Sequence, residues 1–224
     1  MSKYFAVIFA LVWKDVLLEI RNKDFLISVM VFALLTIVVF GIAIDPKSSI
    51  IISVASGVFW ISISFACVLG MNRAFIIEYE NGGIFGLLSA PISRDAIFFG
   101  KMLGCFGFLL VVELFLFPIF VILFNVDLFD LLLIPVFVLT SLGLACVGTL
   151  ASVMAINTRL RELLLPLIFL PVVIPIIIAA VTLTEMFLSG TKSEDFIKWI
   201  GMIVAFDLMF LALCPFAFNY ILHE

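Results

Sequence analysis

Residues 163–184 read LLLPLIFLPVVIPIIIAAVTLT, an unbroken run without a charge and without polar alternation. A helix needs about 20 apolar residues to cross the hydrocarbon core of a bilayer, so this stretch alone puts the chain in a membrane. Residues 25–44 and 48–71 meet the same requirement, and residues 131–157 are long enough to tilt. Two further runs, 98–125 and 199–222, each carry one internal acid, Glu113 and Asp207. That makes six spans. Spanning strands would instead show polar–apolar alternation over about ten residues, and these runs are apolar on every face.

Composition agrees. Of 224 residues, 66% are hydrophobic and 12% are charged, where a soluble domain carries about 25% charged residues. The net charge of −4 gives no reason to expect nucleic acid as a partner; lipid is the expected surrounding. The four cysteines, Cys67, Cys105, Cys146 and Cys214, sit inside apolar runs at unrelated spacings, and are expected to be buried small hydrophobes rather than a disulfide or metal framework.

Lysines and arginines set the orientation. Lys3, Lys14, Arg21, Lys23, Arg73, Arg94, Lys101, Arg159 and Arg161 fall on one side, and only Lys47, Lys192 and Lys198 on the other. Both termini are therefore expected in the cytoplasm. Residues 4–13 are apolar but too short to span, and then gain a polar face through Lys14, Asp15, Glu19 and Arg21. An amphipathic helix over residues 3–23, lying in the interface, fits this pattern better than a cleaved signal peptide. The outer connections are short, and the longest, residues 185–198, reads as a solvated loop. The whole chain, 1–224, is expected to form a single transmembrane domain.

What is missing narrows the chemistry. His223 is the only histidine, so neither histidine acid–base catalysis nor an imidazole-rich metal site in the membrane is expected. No phosphate loop is present: Gly100-Lys101 resembles the end of one but lacks the upstream glycine. No catalytic residue is assigned, and any nucleotide hydrolysis belongs to another subunit.

The connection between spans two and three holds the most pattern. Span two runs on past the membrane to Glu78-Tyr79-Glu80, and Asn81-Gly82-Gly83 ends it, because glycine closes a helix in the left-handed conformation. A short apolar turn with Phe85, Leu87 and Leu88 follows, Pro91 breaks the chain again, and Ser93 with Asp95 opens span three. Residues 78–93 thus read either as an amphipathic turn on headgroups or as a coupling helix that inserts an apolar knob into a cytoplasmic motor domain.

The series Glu78-x-x-x-Gly82, Leu87, Pro91, Ser93-Arg94 and Gly100-Lys101 resembles the corresponding connection of ABC-2-type transporter permeases. Within that superfamily the chain is similar to the haem exporter protein B (CcmB) family of the cytochrome c maturation system. Three more stretches carry the likeness: Gly57-Val58-Phe59-Trp60, Leu170-Pro171-Val172-Val173-Ile174-Pro175-Ile176, and Leu213-Cys214-Pro215-Phe216-Ala217. Relatives often have an acid where this chain has Phe85. The resemblance implies an all-α, six-span permease of the bacterial inner membrane, with a separate ABC ATPase that binds ATP and magnesium. It further implies a haem-handling membrane partner and a small membrane subunit. Glu78, Gly82, Gly83, Phe85, Leu87, Leu88, Pro91 and Arg94 would form the ATPase-coupling interface, with Glu78 or Arg94 as a polar rim. This chain alone would bind no cofactor; haem would be handled by the complex. An ABC-2 exporter for a lipid, glycan or drug is the alternative, and a carrier working without ATP is a third reading.

Inside the membrane, Pro171 and Pro175 are expected to kink span five locally, since proline removes a donor and crowds the preceding turn. Glu113 and Asp207 lie at comparable depth with no basic residue beside them. Either each bonds to a hydroxyl such as Thr140, Ser141 or Tyr220, or one faces a partner or a wet cavity. In span four, Ser141, Ala145 and Thr149, with Gly148 and Ser152 on an adjacent line, form a small-residue face. Such faces let helices approach closely in lipid, here within the subunit or against a second copy.

Overall fold

The computed structural model describes residues 2–21, 23–44, 51–80, 82–89, 91–125, 133–156, 161–190 and 195–221. These form eight helices in chain order: α1 (Ser2–Arg21), α2 (Lys23–Ala43), α3 (Ile51–Glu80), α4 (Gly83–Ser89), α5 (Arg94–Phe124), α6 (Leu133–Ile156), α7 (Arg161–Leu188) and α8 (Phe196–Ile221). Six of them, α2, α3 and α5 to α8, are long and apolar enough to cross a membrane. The chain is thus an all-helical, multi-pass membrane protein.

Helices α3, α5 and α6 form the middle of the bundle, with α7 and α8 beside α6 and α2 at the edge. Aromatic rings fill the centre of one half: Phe59 lies 5.1 Å from Phe120 and 5.4 Å from Phe137, ring centre to ring centre, and Trp60 lies 5.4 Å from Phe137. Trp60 is fully buried, and its indole N–H donates to the Thr184 hydroxyl at 2.9 Å, tying α3 to α7. Whereas buried Thr140 has no partner among the described residues, four other buried hydroxyls are satisfied within their own helix: Ser62, Ser64, Thr149 and Ser152 each donate to the carbonyl four residues back. In lipid, where water cannot serve a stray donor, this is how polar residues survive in a span. All four cysteines are buried and free.

The small-residue face of α6 is used inside the chain. Ser141, Ala145, Thr149 and Ser152 are buried, and a Cβ placed on Gly148 would meet Cys67 Sγ at 3.2 Å, with Met71 and Phe169 each at 3.5 Å. Helices α3 and α7 cover it, so no room is left there for a second copy.

Two boundaries differ from the sequence reading. Helix α7 continues to Leu188, past the expected end at residue 184, and Ser53 of α3 donates to the Glu185 carboxylate. The turn comes at Gly190, with φ at 68°, and α8 starts at Phe196, so much of the expected loop over residues 185–198 is helix. The helix expected over residues 3–23 forms as α1, but its polar side faces the bundle rather than water. Leu11 sits over Gly100 and Asp15 over Gly104, so α1 runs in the same direction as α5 and packs along its first turns. Phe5, Phe9 and Trp13, spaced by four, remain exposed on the other face.

Leucine at Gly148 must displace Cys67, Met71 and Phe169 together, and overpacking of this kind costs about 1–3 kcal/mol. Gly148→Leu is expected to lower the thermal unfolding midpoint of the purified protein; an unchanged midpoint would show that the α3–α6–α7 contact is loose.

Candidate functional site

The connection from α3 to α5 is built by two breaks. Gly82 takes φ of 71°, which only glycine adopts without strain. Gly83 opens α4, and a Cβ there would meet Glu78 Cγ at 2.9 Å. The residue pair thus both turns the chain and lets α4 start directly against Glu78. Leu87 is half-buried against the bundle core. Phe85 and Leu88 belong to α4, but their side chains lie outside the described ones. Pro91 is exposed in the bend that follows. Ser93 holds the N-cap of α5 through its backbone: its carbonyl accepts from the N–H groups of Ala96 at 3.0 Å and Ile97 at 3.3 Å, and its side chain caps nothing.

The two residues expected at a polar rim both bond within this chain. Glu78 is buried and paired with Lys14 of α1 and Lys101 of α5. Lys101 also reaches the Asp15 carboxylate at 3.0 Å and lies 5.7 Å from the centre of the Phe75 ring, and Lys14 is 3.5 Å from Asp15. Four charges, two of each sign, therefore close on one another where α1, α3 and α5 meet. Arg94 donates to the Asn219 carbonyl at 3.4 Å while Asn219 donates to Asp95, so this pair fastens the end of α8 to the start of α5. Both residues thus hold helices of this chain together.

Burial alone would push the Glu78 carboxyl up, but Lys101 and Lys14 outweigh it and hold it below the ordinary 4.5. Burial works against the Lys14 ammonium too, and Glu78 and Asp15 more than reverse that. Glu19, on the next turn of α1, behaves oppositely. Burial and the Asp15 charge push it up to about 7, with Lys101 offsetting only part.

Sequence reasoning missed Lys14, Asp15 and Lys101 as a unit. The signal was present in Gly100-x-x-x-Gly104, a small-residue spacing that invites a close helix, and in a lysine between those glycines. The intramembrane candidates are not brought to this cluster. Glu113 accepts a hydrogen bond from Ser141, one of the three hydroxyls expected. Asp207 is buried with neither oxygen bonded among the described residues, and it packs over Gly143 beside Ile176. Pro171 is exposed and Pro175 half-buried within a continuous α7.

The cluster makes two pH signatures. Glu78 is depressed, so its contribution is present above about pH 4.5 and disappears as pH falls through its lowered value. Lys101→Met leaves Glu78 and Asp15 to share Lys14, and losing one partner of a buried ion pair costs up to about 3–5 kcal/mol; the loss is expected at neutral pH and should shrink in acid. Glu19 is raised, so the native state binds the extra proton and stability falls as pH rises from 4.5 to about 7. Glu19→Gln is expected to gain about 1–2 kcal/mol over the unsubstituted chain at pH 8, allowing for partial exposure, and nothing at pH 4. Parallel thermal unfolding curves at both pH values would contradict this.

The CcmB protein family model matches residues 6–223. The chain is 27% identical over 212 residues to the Heme exporter protein B of Rhodobacter capsulatus, covering 93% of this chain and 94% of that one. It is 24% identical over 221 residues to the Heme exporter protein B of Pseudomonas aeruginosa, covering 97% and 95%. Against the protein of the same name from Paracoccus denitrificans it is 26% identical over 187 residues, covering 81% and 82%. With the likeness running from the first turns of α1 through the end of α8, the chain belongs to the CcmB protein family.

Proposed function

We infer that this chain is the membrane permease subunit of a haem exporter that serves cytochrome c maturation, a transporter component and not an enzyme. The observation that carries the reading is the likeness to Heme exporter protein B along nearly the whole of both chains. The finer parts follow the same resemblance. A separate ABC ATPase binds ATP and magnesium and docks on α4; a haem-handling membrane protein and a small membrane subunit complete the complex. The complex sits in the bacterial inner membrane with both termini of this chain in the cytoplasm, as the distribution of lysine and arginine supports.

In this reading α4 is the coupling helix, with Phe85, Leu87 and Leu88 as its apolar residues and Gly82, Gly83 and Pro91 as the breaks that present it. Its base adjoins Glu78, and Glu78 is ion-paired to α1 and α5. A push on α4 from the ATPase is therefore felt at once by three helices. The chain acts as a transducer that passes ATPase closure to the haem-holding partner, and Glu113 and Asp207 are the polar points of the span region that this movement would displace.

Phe85→Asp and Leu88→Asp test the docking assignment. Either substitution places a charge in an apolar contact and should reduce recovery of the ATPase on a tagged permease about tenfold or more, with membrane insertion unchanged. Undiminished recovery would place the ATPase contact elsewhere. Recovery of a haem-handling membrane protein with the same tagged chain separates this reading from an ABC-2 exporter of another cargo.

A further inference from the structure

Beside the four-charge cluster lies a cavity of about 270 Å³ between α1, α2, α3 and α5. Its apolar walls are Leu18, Phe25, Met71, Phe75, Cys105 and Phe108. It sits at the membrane surface: Phe25 lies in the first turn of α2, and Arg73 is the residue at which the apolar part of α3 ends. The charged side chains facing it are Lys14, Lys101, Asp15, Glu78, Glu19 and Arg73. The first four neutralise one another in the cluster. Burial and Asp15 keep Glu19 partly protonated at neutral pH.

Arg73 stands outside that cluster. No carboxylate pairs with it among the described residues, and its guanidinium lies 4.5 Å from the centre of the Phe25 ring. The ring steadies the cation, but the five N–H donors of a guanidinium remain for an anion with several oxygens. An apolar chamber with one fixed guanidinium at headgroup level fits an amphiphile that carries a phosphate. In a membrane the amphiphile present at every such opening is phospholipid.

We propose that this cavity binds one anionic phospholipid, with Arg73 on the headgroup phosphate and an acyl chain in the chamber lined by Leu18, Phe25, Met71 and Phe108. Lipid binding here is independent of which cargo the complex handles, and Gly83 at the root of α4 also lines the cavity. Its wall is shared with Glu78 and Lys101, so occupancy props the junction of α1, α3 and α5 from within.

The test uses the full chain in nanodiscs of phosphatidylcholine doped with phosphatidylglycerol, with retained lipids counted by native mass spectrometry after delipidation. The unsubstituted chain is expected to keep one phosphatidylglycerol. Arg73→Gln should lower that retention about tenfold, the loss of a charge-assisted contact, and Arg73→Lys should restore part of it. Leu18→Trp, at a half-exposed position, fills the chamber while leaving Arg73 in place and should also lower retention; it carries the test if Arg73→Gln unfolds. Equal retention of phosphatidylglycerol by the unsubstituted chain and by either folded variant overturns the proposal, as does retention of phosphatidylcholine with no preference for phosphatidylglycerol.

Discussion

A helix surrounded by lipid gains little by hiding its apolar side, because the hydrocarbon it leaves is as apolar as the neighbour it meets. What holds this bundle is close approach, together with hydrogen bonds and ion pairs that water is not there to replace. The contacts fall accordingly. Helix α6 presents Gly143 and Gly148 to its neighbours, and α5 presents Gly100 and Gly104 to α1. At each of these points a side chain from the facing helix fills the space that the missing Cβ leaves. Trp60 with Thr184 and Glu113 with Ser141 then add directional bonds that fix which faces meet.

The four-charge cluster extends this logic to the membrane surface. Two lysines and two carboxylates cost much to desolvate singly, and the attraction between them returns that cost only when all four are in place. Removing one member leaves the other three with one charge in excess at a buried site, so the arrangement of α1, α3 and α5 tends to persist or fail as a whole. Placed at the root of α4, such a junction resists bending. Displacement of a short surface helix then moves long helices as levers instead of being absorbed in a loop.

Span number, helix type and the position of the surface helix were legible because they rest on local signals: apolar run length, Gly82-Gly83, and Pro91 before the Ser93 cap. The continuation of α7 to Leu188 was not, since its polar end residue Glu185 looks like loop until Ser53 is known to face it. Glu78 was singled out, but its partners within the chain were not. A charge next to a glycine turn looks exposed in sequence, and only the return of α1 along α5 supplies the lysines that draw it inward. For the same reason the small face of α6 could not be assigned to α3 and α7 rather than to another copy: periodicity shows that a face exists but not which helix covers it.

The contact between Asp207 and Gly143 ties two distant positions into one inheritance. A Cβ at residue 143 would lie 2.5 Å from an Asp207 oxygen and 2.5 Å from Ile176, closer than nonbonded atoms approach. While the acid stays, a larger residue at 143 requires the Asp207 carboxylate and the Ile176 Cδ1 to swing aside. A lineage that shortens residue 207, or trims residue 176, relaxes that restriction, and one that keeps both is expected to favour the glycine. The three positions are thus expected to drift as a set: among related chains, alanine or serine at 143 should appear together with a smaller residue at 207 and 176, and free variation at 143 beside an unchanged aspartate would mean that α6 and α8 sit farther apart there.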